Sequence, residues 1–293
     1  ALREEASDRE KDGDAAGAEH YRWQAEALLD GADSLKEQIR QAGNAAGRME
    51  LRRMEDTMLW TAQNLMGTYH SLEAEQAAAS ARAEAQKHLS EKVKDQEMLG
   101  SSTSYHSQEA YQKWQSALNE YERLKKEQER VRQELLLLTG FSPDSPVVLE
   151  KMPLPDVSRA ALVNPQEDRQ QALGNNYELR SGRMGNAGSN QELHKKQRQT
   201  ELDENQMFDS LETLGDQIRS CQAEWEAACA KEQAQRAVWQ SAVRKRELGT
   251  MAEGEYLEIY SQYMEEKGNQ AQASIRFLLA MEEYDWAKKG LMD

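Results

Sequence analysis

No run of this chain comes near 18 consecutive apolar residues, so nothing in it reads as a membrane-spanning helix. Aromatic residues are scarce at 6% while 30% are charged, a mixture too polar for one thick globular core and better suited to thin helical layers. The only cysteines are Cys221 and Cys229, eight apart on one predicted helix, about 12 Å along its axis and too distant for a mutual disulfide. Cys221 falls on an apolar seam and reads as a small packing residue, with an intersubunit bridge as the other reading. Basic residues are outnumbered, 37 against 52 acids, and a net charge of -15 repels nucleic acid, polyphosphates and anionic bilayers at long range. The opening ALREEASDRE has no apolar signal core, leaving open whether a signal was removed or the chain is a piece of a longer one.

The signatures of catalysis are also missing. His20, His70, His88, His106 and His194 are scattered, with no HExxH, no paired cysteines and no acidic cluster at metal-ligand spacing. There is no GxSxG and no Walker loop, and Gly182, Gly185 and Gly188 follow a helix rather than a strand, the wrong context for cradling phosphate. Carboxylate pairs are abundant only because acids are, and on long exposed helices they form a solvated face. No enzyme activity, cofactor or metal is expected.

What the chain does have is one stretch that occurs twice. Residues 55–100 recur without a gap at 204–249, offset by 149, with 13 of 46 positions identical and both copies closing on Leu-Gly. This reads as an internal duplication. The second copy carries an apolar stripe through Met207, Leu211, Leu214, Ile218, Cys221, Trp225, Ala228, Gln235, Trp239 and Ala242. The first carries Met58, Ala62, Leu65, Tyr69, Leu72, Gln76, Ala79, Ala83 and Val93. Steps of three, four and seven keep one narrow face of a long helix apolar. Without proline in either copy, each is a rod of about 70 Å that needs a partner along its length. Trp225 and Trp239 lie on the seam and read as packing; Trp60, one position off the equivalent stripe, reads as packing or as a contact with a neighbouring protomer.

Around these rods the chain divides into a first helical repeat over 1–139, a proline-rich linker over 140–165 that holds all 5 prolines, and a second helical repeat over 166–293. Each repeat is expected to be a short helix, a long helix and a return helix. The short helices occupy roughly 1–42, with a stripe of Tyr21, Ala25, Leu28, Leu35 and Ile39, and 166–184. Gly43–Gly47 and Gly185–Ser189 are read as glycine turns, each opening a long helix, one from Arg48 to about Met98 and the other from about Asn190 to Glu247. Return helices follow over 104–139, with an apolar face of Tyr111, Trp114, Leu118, Tyr121, Leu124, Val131, Leu135 and Leu138, and over 253–290. The latter carries Tyr256, Tyr263, Gln270, Phe277, Tyr284 and Leu291 at seven-residue spacing. In the linker, Val147-Val148-Leu149 suits a short strand or an extended crossing. The fold class is all-α: long antiparallel coiled-coil helical hairpins in two tandem repeats.

The segments LGSSTSYHSQEAYQKWQSALNEYERL, LGTMAEGEYLEIYSQY, ELLLLTG and NPQEDRQQALGNNYELRSGR, taken in order, resemble the TolC family of outer-membrane efflux proteins over most of the chain. That family shows a glycine turn with an acidic residue six later. Glu255 stands six after Gly249 and matches; His106 stands six after Gly100 and departs from the pattern. The resemblance implies a homotrimer whose helices form a tube in the cell envelope, periplasm or cell surface, outside the cytoplasm. Its helix-turn tips would dock the hairpin of an adaptor protein of an export pump. The tip residues carried over are Leu99, Gly100, Ser101, Leu248, Gly249, Thr250 and Glu255. Family members that cross the outer membrane insert a pair of strands between the short and long helices, each strand about 9–11 residues. Only GNAAG and GNAGSN stand there, so the chain resembles a TolC-like α-barrel without the membrane β-barrel. Two readings from other classes are a structural coiled-coil scaffold or filament subunit on the cell surface with no transport role, and a helical chaperone gripping clients between its hairpins.

Overall fold

A computed structural model describes residues 45–184 and 188–292, together with residues 10, 11, 19 and 23. The expected first helix with its stripe from Tyr21 to Ile39, and the turn residues Gly43, Asn44 and 185–187, lie outside the described residues. Seven helices follow in order among them: α1 (Ala45–Met98), α2 (Ser104–Leu138), α3 (Val157–Ala161), α4 (Pro165–Asn175), α5 (Tyr177–Met184), α6 (Asn190–Glu247) and α7 (Glu253–Lys289). No described residue lies in a strand and no described helix is long and apolar enough to cross a membrane.

The four long helices stand in one row, α2–α1–α7–α6. Helix α1 packs on α2 and on α7, and α7 on α1 and α6, whereas α2 and α6 do not pack on each other. The two inner helices are therefore covered on two sides, and their buried sets are wider than one heptad stripe. On α1 this takes in Ala81 and Ala85 beside Ala79 and Ala83; on α7 it takes in Ala273, Ile275, Leu278, Ala280 and Met281 beside Phe277 and Tyr284. On the outer helix α6 the expected seam holds, from Leu211 and Ile218 to Ala242. One core joins α6, α7 and α4 through Leu211, Ile218, Phe277, Met281, Tyr284 and Ala172, with Cys221 and Trp225 packed against it. Burial pushes the Cys221 thiol up, as befits a packing residue. A second core of Leu72, Ala79, Leu124 and Val131 closes the α1–α2 hairpin.

The stripe predicted for α1 fails at its start. Met58 is 51% exposed, as is its neighbour Leu59 at 56%. Leu72 and Ala79 sit in one core with Val131 and Leu124, an antiparallel pairing that brings the end of α2 opposite about Leu65. The first turns of α1 thus have no α2 beside them. Trp60 lines a cavity of about 490 Å³ with Leu214 and Trp286 of its own chain.

The linker forms no strand. It is extended backbone fastened by side chains: the Arg132 guanidinium donates to the carbonyls of Pro143, Ser145 and Val147, and buried His70 meets the Glu150 carbonyl at 2.8 Å. Asp156 then caps α3, from which Arg159 bridges to Glu282 and Asp285 of α7. The single helix expected over 166–184 is instead two. Asn176 leaves helical geometry at ψ 126°, its backbone N–H still bonds Ala172, and its side chain caps the next helix through the Leu179 N–H. An asparagine satisfies the chain ends on both sides of such a break, which is why α4 and α5 part there. The break is seated on the end of α7, where Tyr177 N–H donates to the Gly290 carbonyl at 3.2 Å. That end corrects the heptad reading as well: Gly290, at φ 110°, terminates α7, so Leu291 lies beyond the helix.

Candidate functional site

The two turns that join each long helix to its return helix, where the resemblance places the tip residues, are built alike. Gly100 at φ 74° and Gly249 at φ 68° both take the left-handed conformation that glycine adopts without steric cost. In each, the glycine N–H bonds three residues back, to Glu97 or Arg246, at 2.9 Å. The next N–H, of Ser101 or Thr250, reaches five back to Gln96 or Lys245 at 2.8–2.9 Å. The hydroxyls of Ser101 and Thr250 donate to those same carbonyls at 3.0 Å. This double closure satisfies the last carbonyls of both long helices. Leu99 and Leu248 are left 82% and 77% exposed, and a Cβ placed on either glycine would meet nothing within 4 Å.

Both turns lie at one end of the row. Along α1 and α7, Gly67 faces Ile275, Ala74 faces Gly268 and His88 faces Gly254, a constant antiparallel register. On the other side of α7, Arg246 at the end of α6 donates to Glu253 at 2.8 Å. The second turn is therefore level with His88. Helix α1 runs on to Met98, so the first turn stands about 15 Å farther out.

The electrostatics of the turns differ. Helix α6 ends on Arg244, Lys245 and Arg246, and α7 begins with Glu253 and Glu255, each charge favourable to its helix dipole. Arg246 also lies 4.2 Å over the Tyr256 ring. Helix α1 has no base in its last turn and α2 no acid in its first; there Thr103 caps α2 by accepting from the His106 N–H. His106 and Glu255 occupy the same third helical position. The departure noted in the sequence thus replaces an exposed acid at a helix N-terminus with an imidazole. Leu99, Gly100, Ser101, Leu248, Gly249, Thr250 and Glu255 all stand exposed or at the turn surface, grouped in two clusters at different heights rather than in one pocket. The difference in height rests on long-range register between α1 and α7, for which no local sequence signal exists.

Away from the turns, polar contacts lock the row. Tyr284 and Lys288 both reach Asp168 at 2.9 Å, and Trp286 donates to Gln63 at 2.6 Å. Burial and then the Asp168 carboxylate push the Tyr284 phenol well up. Trp239 stacks on Tyr263 at 4.6 Å and Trp225 lies 5.7 Å from Phe277, which makes both seam tryptophans packing residues.

Long antiparallel hairpins set side by side, turns together, form a helical layer of the kind from which α-barrels are built. The chain shares its fold with the TolC-family outer-membrane channels. It is similar to CusC, described for the conformational changes accompanying transmembrane channel formation, at 13% identity and TM-score 0.57 over 92% of this chain and 89% of that one. It is also similar to the outer membrane protein VceC of Vibrio cholerae, at 13% identity and TM-score 0.53 over 84% and 72%. A third, the outer-membrane channel OprN, matches at 14% identity and TM-score 0.50 over 84% and 68%. No protein-family model and no curated protein matches the sequence. Between α5 and α6 only the five residues 185–189 intervene, too few for a pair of membrane strands.

Proposed function

We propose that this chain is a non-catalytic subunit of a TolC-like tube or stalk in an extracytoplasmic export or efflux system. Its two turns dock an adaptor protein of the pump. The observation that carries this is the open row: among the described residues α2 and α6 each pack on only one other long helix, so the layer of long helices is complete only when the α6 edge of one copy meets the α2 edge of the next. A homotrimer closed in this way is a tube with every turn at one rim. The bare glycines and exposed leucines of that rim let another helical hairpin approach the backbone closely.

Light scattering of the purified chain, with negative-stain images of the same peak, tests the assembly. A trimer of hollow elongated particles is expected; an open-ended filament favours the cell-surface scaffold and a monomer removes the tube. For the rim, Gly249→Arg should abolish capture of an export-pump adaptor protein that the parent chain binds, while the helical circular dichroism stays unchanged. Undiminished capture would refute the docking assignment.

A further inference from the structure

At the end of the row remote from the turns, four cations from three elements gather around one cavity of about 650 Å³. Arg48 and Arg52 lie on α1, Arg180 on α5 and Lys289 at the end of α7, with Tyr177 and Met49 forming the buried floor. Arg48 and Arg52 are four apart on one helix face, a like-charge arrangement that is unfavourable unless something negative lies between them. Partners are available in so acidic a chain, and neighbouring cations have them: Arg53 pairs with Glu178 and Lys288 with Asp168. Arg48, Arg52 and Arg180 form no ion pair among the described residues. Of the two carboxylates in the lining, Asp56 accepts from the Tyr177 hydroxyl at 2.6 Å, leaving Glu55 as the one without such a bond. Arg52 and Arg180 both line the cavity beside Tyr177.

We propose that this cavity binds an oxyanion of the phosphate class, held by the forked donors of Arg52 and Arg180 with Arg48 and Lys289 completing the charge. Planar guanidinium groups match phosphate oxygens two at a time, and three exposed arginines line this cavity. The net charge of -15 does not oppose this, because it acts at long range and is screened beyond about 8 Å, whereas the cavity is read at contact distance. A free phosphate and a phospholipid headgroup present the same chemistry. The cavity and the turns are at opposite ends of the row, so phosphate binding and adaptor docking are separable properties.

The test is calorimetric titration of the intact chain with inorganic phosphate against sodium chloride of equal ionic strength. Saturable binding is expected with about one phosphate per chain, weakened about tenfold by each of Arg52→Gln and Arg180→Gln. Glu55→Gln, which removes the competing carboxylate, should tighten it. No heat beyond the chloride control overturns the proposal, as does a double arginine variant that binds like the parent, or a Glu55→Gln variant that binds more weakly. Flotation with vesicles of phosphatidylcholine, alone or mixed with phosphatidylglycerol, separates the sources. Capture by the mixed vesicles that is lost in the double variant assigns a headgroup; phosphate binding without vesicle capture assigns a free phosphate.

Discussion

Replacing Gly290 with alanine should destabilise the chain by about 3–6 kcal/mol, about three times the cost of the same change at Gly249. At φ 110° the residue lies where an L side chain is strained by about 1–2 kcal/mol. The added Cβ would overlap the Asn175 carbonyl oxygen and come within 2.6 Å of its carbon and 3.1 Å of the Asn176 nitrogen. These are backbone atoms at the break between α4 and α5, and they cannot swing aside as a side chain would. Forced accommodation of this kind costs about 1–3 kcal/mol, and shifting the break also strains the Tyr177-to-Gly290 hydrogen bond, worth about 1 kcal/mol. Gly249 has the same sign of φ but open space around it, so alanine there should cost only about 1–2 kcal/mol. Urea unfolding followed by circular dichroism compares the two. Equal midpoints and slopes for the two variants would show that α7 is not seated on the α4–α5 break.

Phe277→Ala, at a fully buried position between α6 and α7, should cost about 3–5 kcal/mol in the same assay. Glu283 gives a pH signature: burial raises its carboxyl, so the folded state holds the proton more tightly, and stability present below the unfolded value of about 4.3 is lost as pH rises from there through the raised folded value. Glu283→Gln should therefore be more stable than the parent at neutral pH, with the gap closing in acid; a gap constant across pH would refute this. His70→Ala removes the side chain that meets Glu150, so limited proteolysis should gain a cut in the linker near that residue while the long helices stay resistant.

The long helices were legible because their signals are local. Uninterrupted heptads, the Leu-Gly ends and the gathering of prolines over 143–165 located α1, α2, α6 and α7 to within about three residues. What escaped was set by distant contacts. Met58 sits in phase with its stripe yet is exposed, because α2 ends too early to cover it. Asn176 carries no local sign of a helix break, because what breaks the chain there is seating on the end of α7. The turn residues follow from the resemblance, and their shared closure from the shared Leu-Gly. Their offset of about 15 Å along the row could not be read, because nothing within either hairpin encodes the register between them.

The row has two unlike edges, and that fixes the kind of symmetry available to it. An α6 edge meeting an α2 edge is a head-to-tail joint, which can be repeated indefinitely, and each copy then turns by one fixed angle relative to the last. If that angle divides a full circle the chain makes a closed ring; if it misses by a few degrees the same joint winds into a spiral fibre. Conduit and filament are thus neighbouring values of a single geometric parameter, set by how the side chains on α2 and α6 tilt one copy against the next.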